Sequence, residues 1–147
     1  MKVQKQNSNA IEALESDYLF VAISQLPNSG SGLFTAIPIY KDEVISLFKG
    51  EILTELQAKL RVKKGNDKYF INMVDGSIMD SMHTKCFAKY ANDAEGFLKS
   101  LRTRVIKNNA KISLDEEDNV CIIATKNIKT GEEIFCAYGR EYWKKHS

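Results

Sequence analysis

The sequence predicts a β-rich α+β domain, on three observations. Short β-leaning apolar runs recur along the chain, among them YLFVAISQ at 18–25 and NVCIIAT at 119–125. Turn-forming clusters separate them, including PNSG at 27–30, GND at 65–67 and KTGE at 129–132. Helical signals are few, the clearest being ELQAKLRVKK at 55–64. Many short strands with one or two small helices define that class.

Taken in order, residues 1–16 are polar and read as a tail or a frayed helix, with the compact domain placed from Asp17 to the end. YLFVAISQ is a strand closed by a turn at Pro27–Gly30. LFTAIPIY (33–40) continues in short β pieces, with Pro38 favouring an edge. Asp42 opens a turn before VISLFKGEIL (44–53), read as one strand. Thr54 is an N-cap for the helix, whose Leu56 and Leu60 lie four apart on one face, and Gly65 ends it. YFINMVD (69–75) and SIMDSM (77–82) flank Gly76 as a β-hairpin. VIKNNAKISL (105–114) and NVCIIAT form another, with an acidic tip at 115–118. EIFCAY (133–138) is a last short strand.

A chain of 147 residues fits one domain with a real core. No apolar run approaches the roughly 20 residues of a membrane span, and the polar N-terminus carries no secretory signal. A net charge of +2 does not point to nucleic acid. The three cysteines, Cys86, Cys121 and Cys136, are odd in number and widely spaced, which argues for a reducing, intracellular setting. His83 with Cys86 is the single tight His/Cys pair, too few ligands for zinc, so no metal is expected.

Individual motifs discriminate weakly. The Gly-x-Gly of SGSGLF (29–34) precedes a β-like run and lacks a third glycine, so a dinucleotide-binding turn fails. It reads either as a hairpin turn or as a loop where bare backbone approaches a ligand. The acidic tip and the basic run Lys59, Arg61, Lys63, Lys64 and Lys68 read as solvated surface. The sequence presents no nucleophilic triad, and its histidines are His83 and His146. GEEIFCAYGREYW (131–143) reads either as an aromatic lid on the core or as a site presenting the Tyr138 hydroxyl beside aromatic faces.

In order and spacing, these pieces together resemble a SET domain, the fold of S-adenosylmethionine-dependent protein-lysine methyltransferases. SGSGLFTA (29–36) resembles the family's Gly-x-Gly-hydrophobic-Phe-x-Ala loop, and LFKGEIL (47–53) its Tyr-x-Gly-Glu segment. YFINMVDGSIMDS (69–81) resembles its hairpin ending in Ile-Asp. KYANDA (89–94) resembles Arg-Phe-Ile-Asn-His-Ser, and NNAKI (108–112) the Pro-Asn-Cys that follows. GEEIFCAYG (131–139) resembles the closing Gly-Glu-Glu-Leu-x-x-x-Tyr-Gly. The likeness runs from Tyr18 to Trp143.

The resemblance implies small curved sheets with a C-terminal pseudoknot, an exception to the rule against threaded chains. It also implies roles. Gly30, Ser31, Gly32 and Leu33 would meet the cofactor's methionine part; Asn92 would bond its amino group, with Tyr90 and the Asp93 backbone nearby. Tyr138 would be catalytic and also touch the cofactor. Trp143 or Tyr142 would cover the adenine or the lysine channel, and Phe48, Ile112 and Cys136 would complete that channel. Asn109 would hold the knot. The implied partner is a lysine-bearing protein or peptide, histone tails being the family's usual substrate, with no membrane and no direct nucleic-acid contact, the chain acting as monomer or homodimer.

The chain departs from the family pattern in places. Asp93 stands for His and Ala94 for Ser, with the function at that position partly carried by backbone, so Asp93→His should be tolerated. Phe48 replaces Tyr, removing a channel hydroxyl. Residues 95–107 lengthen the gap before Asn109. Cys136 stands where an aromatic hydroxyl restricts space, implying room for more than one methyl. No cysteine cluster forms a zinc-bound lid, and Tyr142–Trp143 would substitute for it. The alternatives are a SET-like module that binds peptide without catalysis, and a purely structural β-domain.

Overall fold

The first hairpin pairs β1 (Leu19–Ile23) with β2 (Ser31–Thr35), Val21 opposite Leu33, around the Pro27–Gly30 turn. In the computed structural model, residues 9–73, 75–95 and 106–138 are described, and the account below concerns those. The remaining elements are α1 (Glu15–Tyr18), β3 (Val44–Leu47), β4 (Glu51–Leu53), α2 (Glu55–Lys63), β5 (Phe70–Asn72) and β6 (Ile78–Asp80), then a 3-10 turn at Ala88–Tyr90. The chain closes through β7 (Ala110–Leu114), β8 (Val120–Ala124), β9 (Glu133–Ile134) and β10 (Cys136–Ala137).

These strands form three small sheets, ordered β1-β2-β9, β10-β7-β8-β3 and β4-β6-β5. Fully buried Leu33, Ile39, Ile45, Ile122, Ile128 and Ile134 fill the core between them. The chain joins this core ahead of Asp17. The Val44 amide donates to the Asn9 carbonyl at 2.8 Å, the Glu15 carboxylate accepts from the Ser46 hydroxyl and the Leu47 amide, and Ile11 packs on the core. The Tyr18 hydroxyl donates to the Ile45 carbonyl at 2.7 Å, and burial, helped by Glu15 and Glu43, raises its pKa.

Local signals held where the cause is local. Thr54 caps α2 through a reciprocal capping box with Gln57, and Gly65 follows with φ +75°. The β5–β6 hairpin sets Ile71 opposite Met79 and turns at Gly76, φ +87°. The β7–β8 hairpin sets Ile112 opposite Ile122, and its acidic tip is built by Asp115, which accepts the Glu117 and Asn119 amides at 2.9 Å each.

Three expectations change. VISLFKGEIL is two strands in two sheets, because Phe48 turns into the core and Gly50 lets a second backbone in: a Cβ there would lie 2.4 Å from the Asp80 carbonyl oxygen. EIFCAY also divides, β9 pairing with β2 and β10 running parallel to β7, with Phe135 at the step. Leu56 and Leu60 do not face the core; they are 67% and 50% exposed. Helix α2 docks instead through buried Ala58 and through Arg61, whose Nη1 donates to Asp80 Oδ2 at 2.7 Å and Glu51 Oε1 at 2.8 Å. LFTAIPIY does fall into short β pieces: Leu33–Thr35 end β2, and past Pro38 an isolated bridge joins Ile39 to Ile128.

The C-terminal segment 133–138 threads between two other parts of the chain. On one side the Cys136 amide donates to the Asn92 carbonyl at 2.8 Å. On the other, the Asn109 and Ala110 amides donate to the Phe135 carbonyl at 2.9 and 3.0 Å. Asn109 secures the crossing with its side chain, Nδ2 donating to the Glu133 carbonyl at 3.0 Å and Oδ1 accepting the Phe135 amide at 2.8 Å. Among the described residues no helix is long and apolar enough to cross a membrane.

Candidate active site

One wall of the site is the loop before β2. The Ser24 amide bonds to the Gly30 carbonyl at 2.8 Å, and Asn28 and Gly30 take left-handed backbone, φ 59° and 64°. Leu26 anchors the loop from beneath, 2% exposed and packed with Ala94 and Phe135. Glu133 locks it from the crossing segment. Its Oε2 accepts the Ser24 hydroxyl at 2.6 Å and its Oε1 the Gln25 amide at 2.7 Å, with the side chain 2% exposed. Gly32 makes room for that carboxylate, since a Cβ at 32 would sit 2.2 Å from Oε2.

The opposite wall comes from the 3-10 turn and its exit. Asn92 reaches across, Nδ2 donating to the Ser31 carbonyl at 3.0 Å. Its Oδ1 takes no hydrogen bond from the described residues and can accept one from a ligand. Tyr138 enters from the crossing segment. Its hydroxyl donates to the Ala91 carbonyl, and its amide donates to Asp93 Oδ2 at 2.9 Å. Between the walls lies a cleft of about 380 Å³, within the size range of small-molecule sites.

The cleft brings together Gly30, Ser31, Tyr90, Asn92, Asp93 and Tyr138. It does not take in the other expected residues. Gly32 is turned to Glu133, and Leu33 is fully buried in the core. Phe48 is 8% exposed and packs in the core, as does Cys136, which is fully buried; Ile112 packs against the same cluster. The reason is topological: Leu33, Ile112 and Cys136 lie on strands, and Phe48 just past one, whose side chains fill the space between the sheets. Burial, with the charge of Asp93, raises the Cys136 thiol's pKa. Tyr142 and Trp143 lie outside the described residues, as does most of the 95–107 stretch.

The cleft has members that sequence reasoning missed. Lys68, from the run read as solvated surface, lines it beside Tyr69 and Lys89. Lys89 stands at the family's Arg position, which was a usable signal. Its Nζ donates to the carbonyls of Ser81, Met82 and Thr84 at 3.0, 3.3 and 3.1 Å and lies 5.4 Å from each of the Tyr69 and Tyr90 ring centres. All three ammonium protons are thus directed to backbone, while its charge and that of Lys68 still favour an anionic group in the cleft. The side chain of Asp93 is also engaged, 4% exposed and accepting on both oxygens, from Tyr138 and from Asn108. The side chain thus shares the work expected in part of the Asp93 backbone, and tolerance of His there does not fit these contacts.

A sequence model of the SET domain matches residues 30–139. The chain therefore belongs to the SET-domain family, whose members are generally protein-lysine methyltransferases that use S-adenosylmethionine. A search of curated protein sequences finds no match.

Proposed function

We propose that this chain is an S-adenosylmethionine-dependent protein-lysine N-methyltransferase, with histone tails as the first substrates to test. The observation that carries the reading is the convergence of Asn92 and Tyr138, brought into one cleft by the threaded C-terminal segment.

The residues present fit the cofactor's chemistry. Asn92 Oδ1 offers an acceptor for its amino group, Lys68 and Lys89 favour its carboxylate, and Tyr69 and Tyr90 offer flat apolar faces beside bare backbone at Gly30. Bound there, S-adenosylmethionine supplies an activated methyl group for an amine. The chain's own task is alignment and exclusion of water. Tyr138, held at its amide by Asp93 and at its hydroxyl by the Ala91 carbonyl, presents a fixed polar group where the amine must be oriented. A free lysine has a pKa of about 10.4, and desolvation near positive charge lowers it. No side-chain base is then needed, which suits a cleft that His83 does not line.

Calorimetric titration with S-adenosylmethionine, then methyl transfer from labelled cofactor to histones and to a lysate, tests the reading. Tyr138→Phe should retain cofactor binding and lose nearly all transfer. Parental turnover by that variant would remove Tyr138 from the catalytic role. Cofactor binding with no labelled protein in any substrate mixture would favour a non-catalytic binding module.

A further inference from the structure

Two departures from the family's motifs touch each other. Asp93 stands where the family has His, and Asn108 stands where it has the Pro of its Pro-Asn pair. Asn108 Nδ2 donates to Asp93 Oδ1 at 2.8 Å, and Asp93 Oδ2 accepts the Tyr138 amide at 2.9 Å. Asn108 Oδ1 accepts the Ala94 amide at 2.8 Å, and the Asn108 amide donates to Glu95 Oε2 at 2.7 Å. The pair thus ties both ends of the 93–108 loop to the residue that follows β10.

Neither familiar residue can do this. A neutral imidazole has one acceptor, and the position at 93 must accept twice. Proline at 108 has neither an amide side chain nor a backbone N–H to give. We infer that Asp93 and Asn108 form a coupled positioning pair that fixes Tyr138 in the cleft, each residue useful only with the other. Its catalytic consequence rests on the reading of Tyr138 given above; its structural consequence does not.

Hydrogen-bond polarity supplies the test. Asp93→Asn loses one acceptor, so its amino group must face either Asn108 Nδ2 or the Tyr138 N–H, donor against donor. Asn108→Asp sets two carboxylates face to face. The exchanged double variant Asp93→Asn/Asn108→Asp restores the pattern. The amide at 93 accepts from Tyr138 and donates to 108, whose carboxylate still accepts from Ala94.

Two readouts follow, the exchange rate of the Tyr138 amide hydrogen by NMR, and kcat and KM for labelled methyl transfer. Each single variant should speed Tyr138 exchange about tenfold or more, as expected for losing a hydrogen bond to a charged group. Each should lower kcat by a similar factor, with a smaller change in the cofactor KM. The exchanged pair should recover Tyr138 protection and most of kcat. Unchanged exchange in the singles, or no recovery in the pair, overturns the inference. Should a single variant fail to fold, the pair decides: folded with parental protection supports the inference, unfolded overturns it. If the parent protein transfers no methyl, the functional reading fails while the exchange data still judge the pair.

Discussion

The crossing at residues 133–138 and the outer sheet β4-β6-β5 with helix α2 are held together by different means. In the crossing, buried polar side chains reach backbone far away in sequence. Asn109 holds Glu133 and Phe135, Glu133 holds Ser24 and Gln25, and Asp93 holds Tyr138. Among the described residues no buried side-chain nitrogen or oxygen lacks a partner. In the outer sheet one ion-paired arginine, Arg61, joins Asp80 and Glu51, while Ile52, Leu56 and Leu60 remain half or more exposed. Satisfied buried polar groups specify a single arrangement, because each becomes costly if the chain shifts. An outer layer with exposed leucines is under no such constraint. The candidate cleft takes Asp93 and Tyr138 from the first kind of region, where geometry must be fixed.

The comparison can be broken or sharpened by substitution. The largest expected effect is at Asn109. Asn109→Leu strands the Phe135 amide and the Glu133 carbonyl in a buried crossing. Stability in urea should fall by about 3 kcal/mol, the cost of two unsatisfied buried groups. A loss well under 1 kcal/mol would mean that the crossing is not held as described.

A middle effect should appear with pH. Burial, with the charge of Asp115, pushes the Cys121 thiol up to about 11, and Cys136 is raised as well. Both lie on strands of the sheet that receives the crossing segment. Since their folded pKa values exceed the unfolded ones, their contribution is complete below the unfolded value of about 8.5. It declines as pH rises toward the folded value, because the unfolded chain releases its protons first. The urea midpoint should therefore drop between about pH 8.5 and 10.5, and Cys121→Ala/Cys136→Ala should flatten that decline. An equal decline in the double variant would place the titration elsewhere.

The smallest effect belongs to the outer region. Leu56→Gln and Leu60→Gln should move stability by no more than about 0.5 kcal/mol, as for other exposed positions. A thermal shift several times larger would show that α2 is anchored through its leucines after all.

The same division governs how much could be read in advance. Thr54 and Gln57, Gly76 between its strands and the Asp115 turn act on neighbours within a few residues, so the sequence spells out their geometry. Leu56 and Leu60 misled because periodicity marks an apolar face but not what that face meets, and here Arg61 and Ala58 do the docking. In the cleft, Gly30, Ser31, Asn92 and Tyr138 were legible as ordered motifs. Lys68 was not, since a lysine in a charge run looks the same whether it faces water or a pocket, whereas Lys89 could have been found from its place at the family's Arg position.

By itself, then, the amino-acid sequence determined the β-rich class, the hairpins, the capped helix and the set of motifs that place the chain among SET domains. Only the tertiary structure decided that VISLFKGEIL and EIFCAY each serve two sheets, that Gly32 exists for Glu133, and that Asp93 works through its side chain. The physical reason is range. Turn and cap preferences are fixed by a residue and its near neighbours, whereas a buried carboxylate is explained only by donors that folding brings to it, and for Asp93 those include Asn108 and Tyr138.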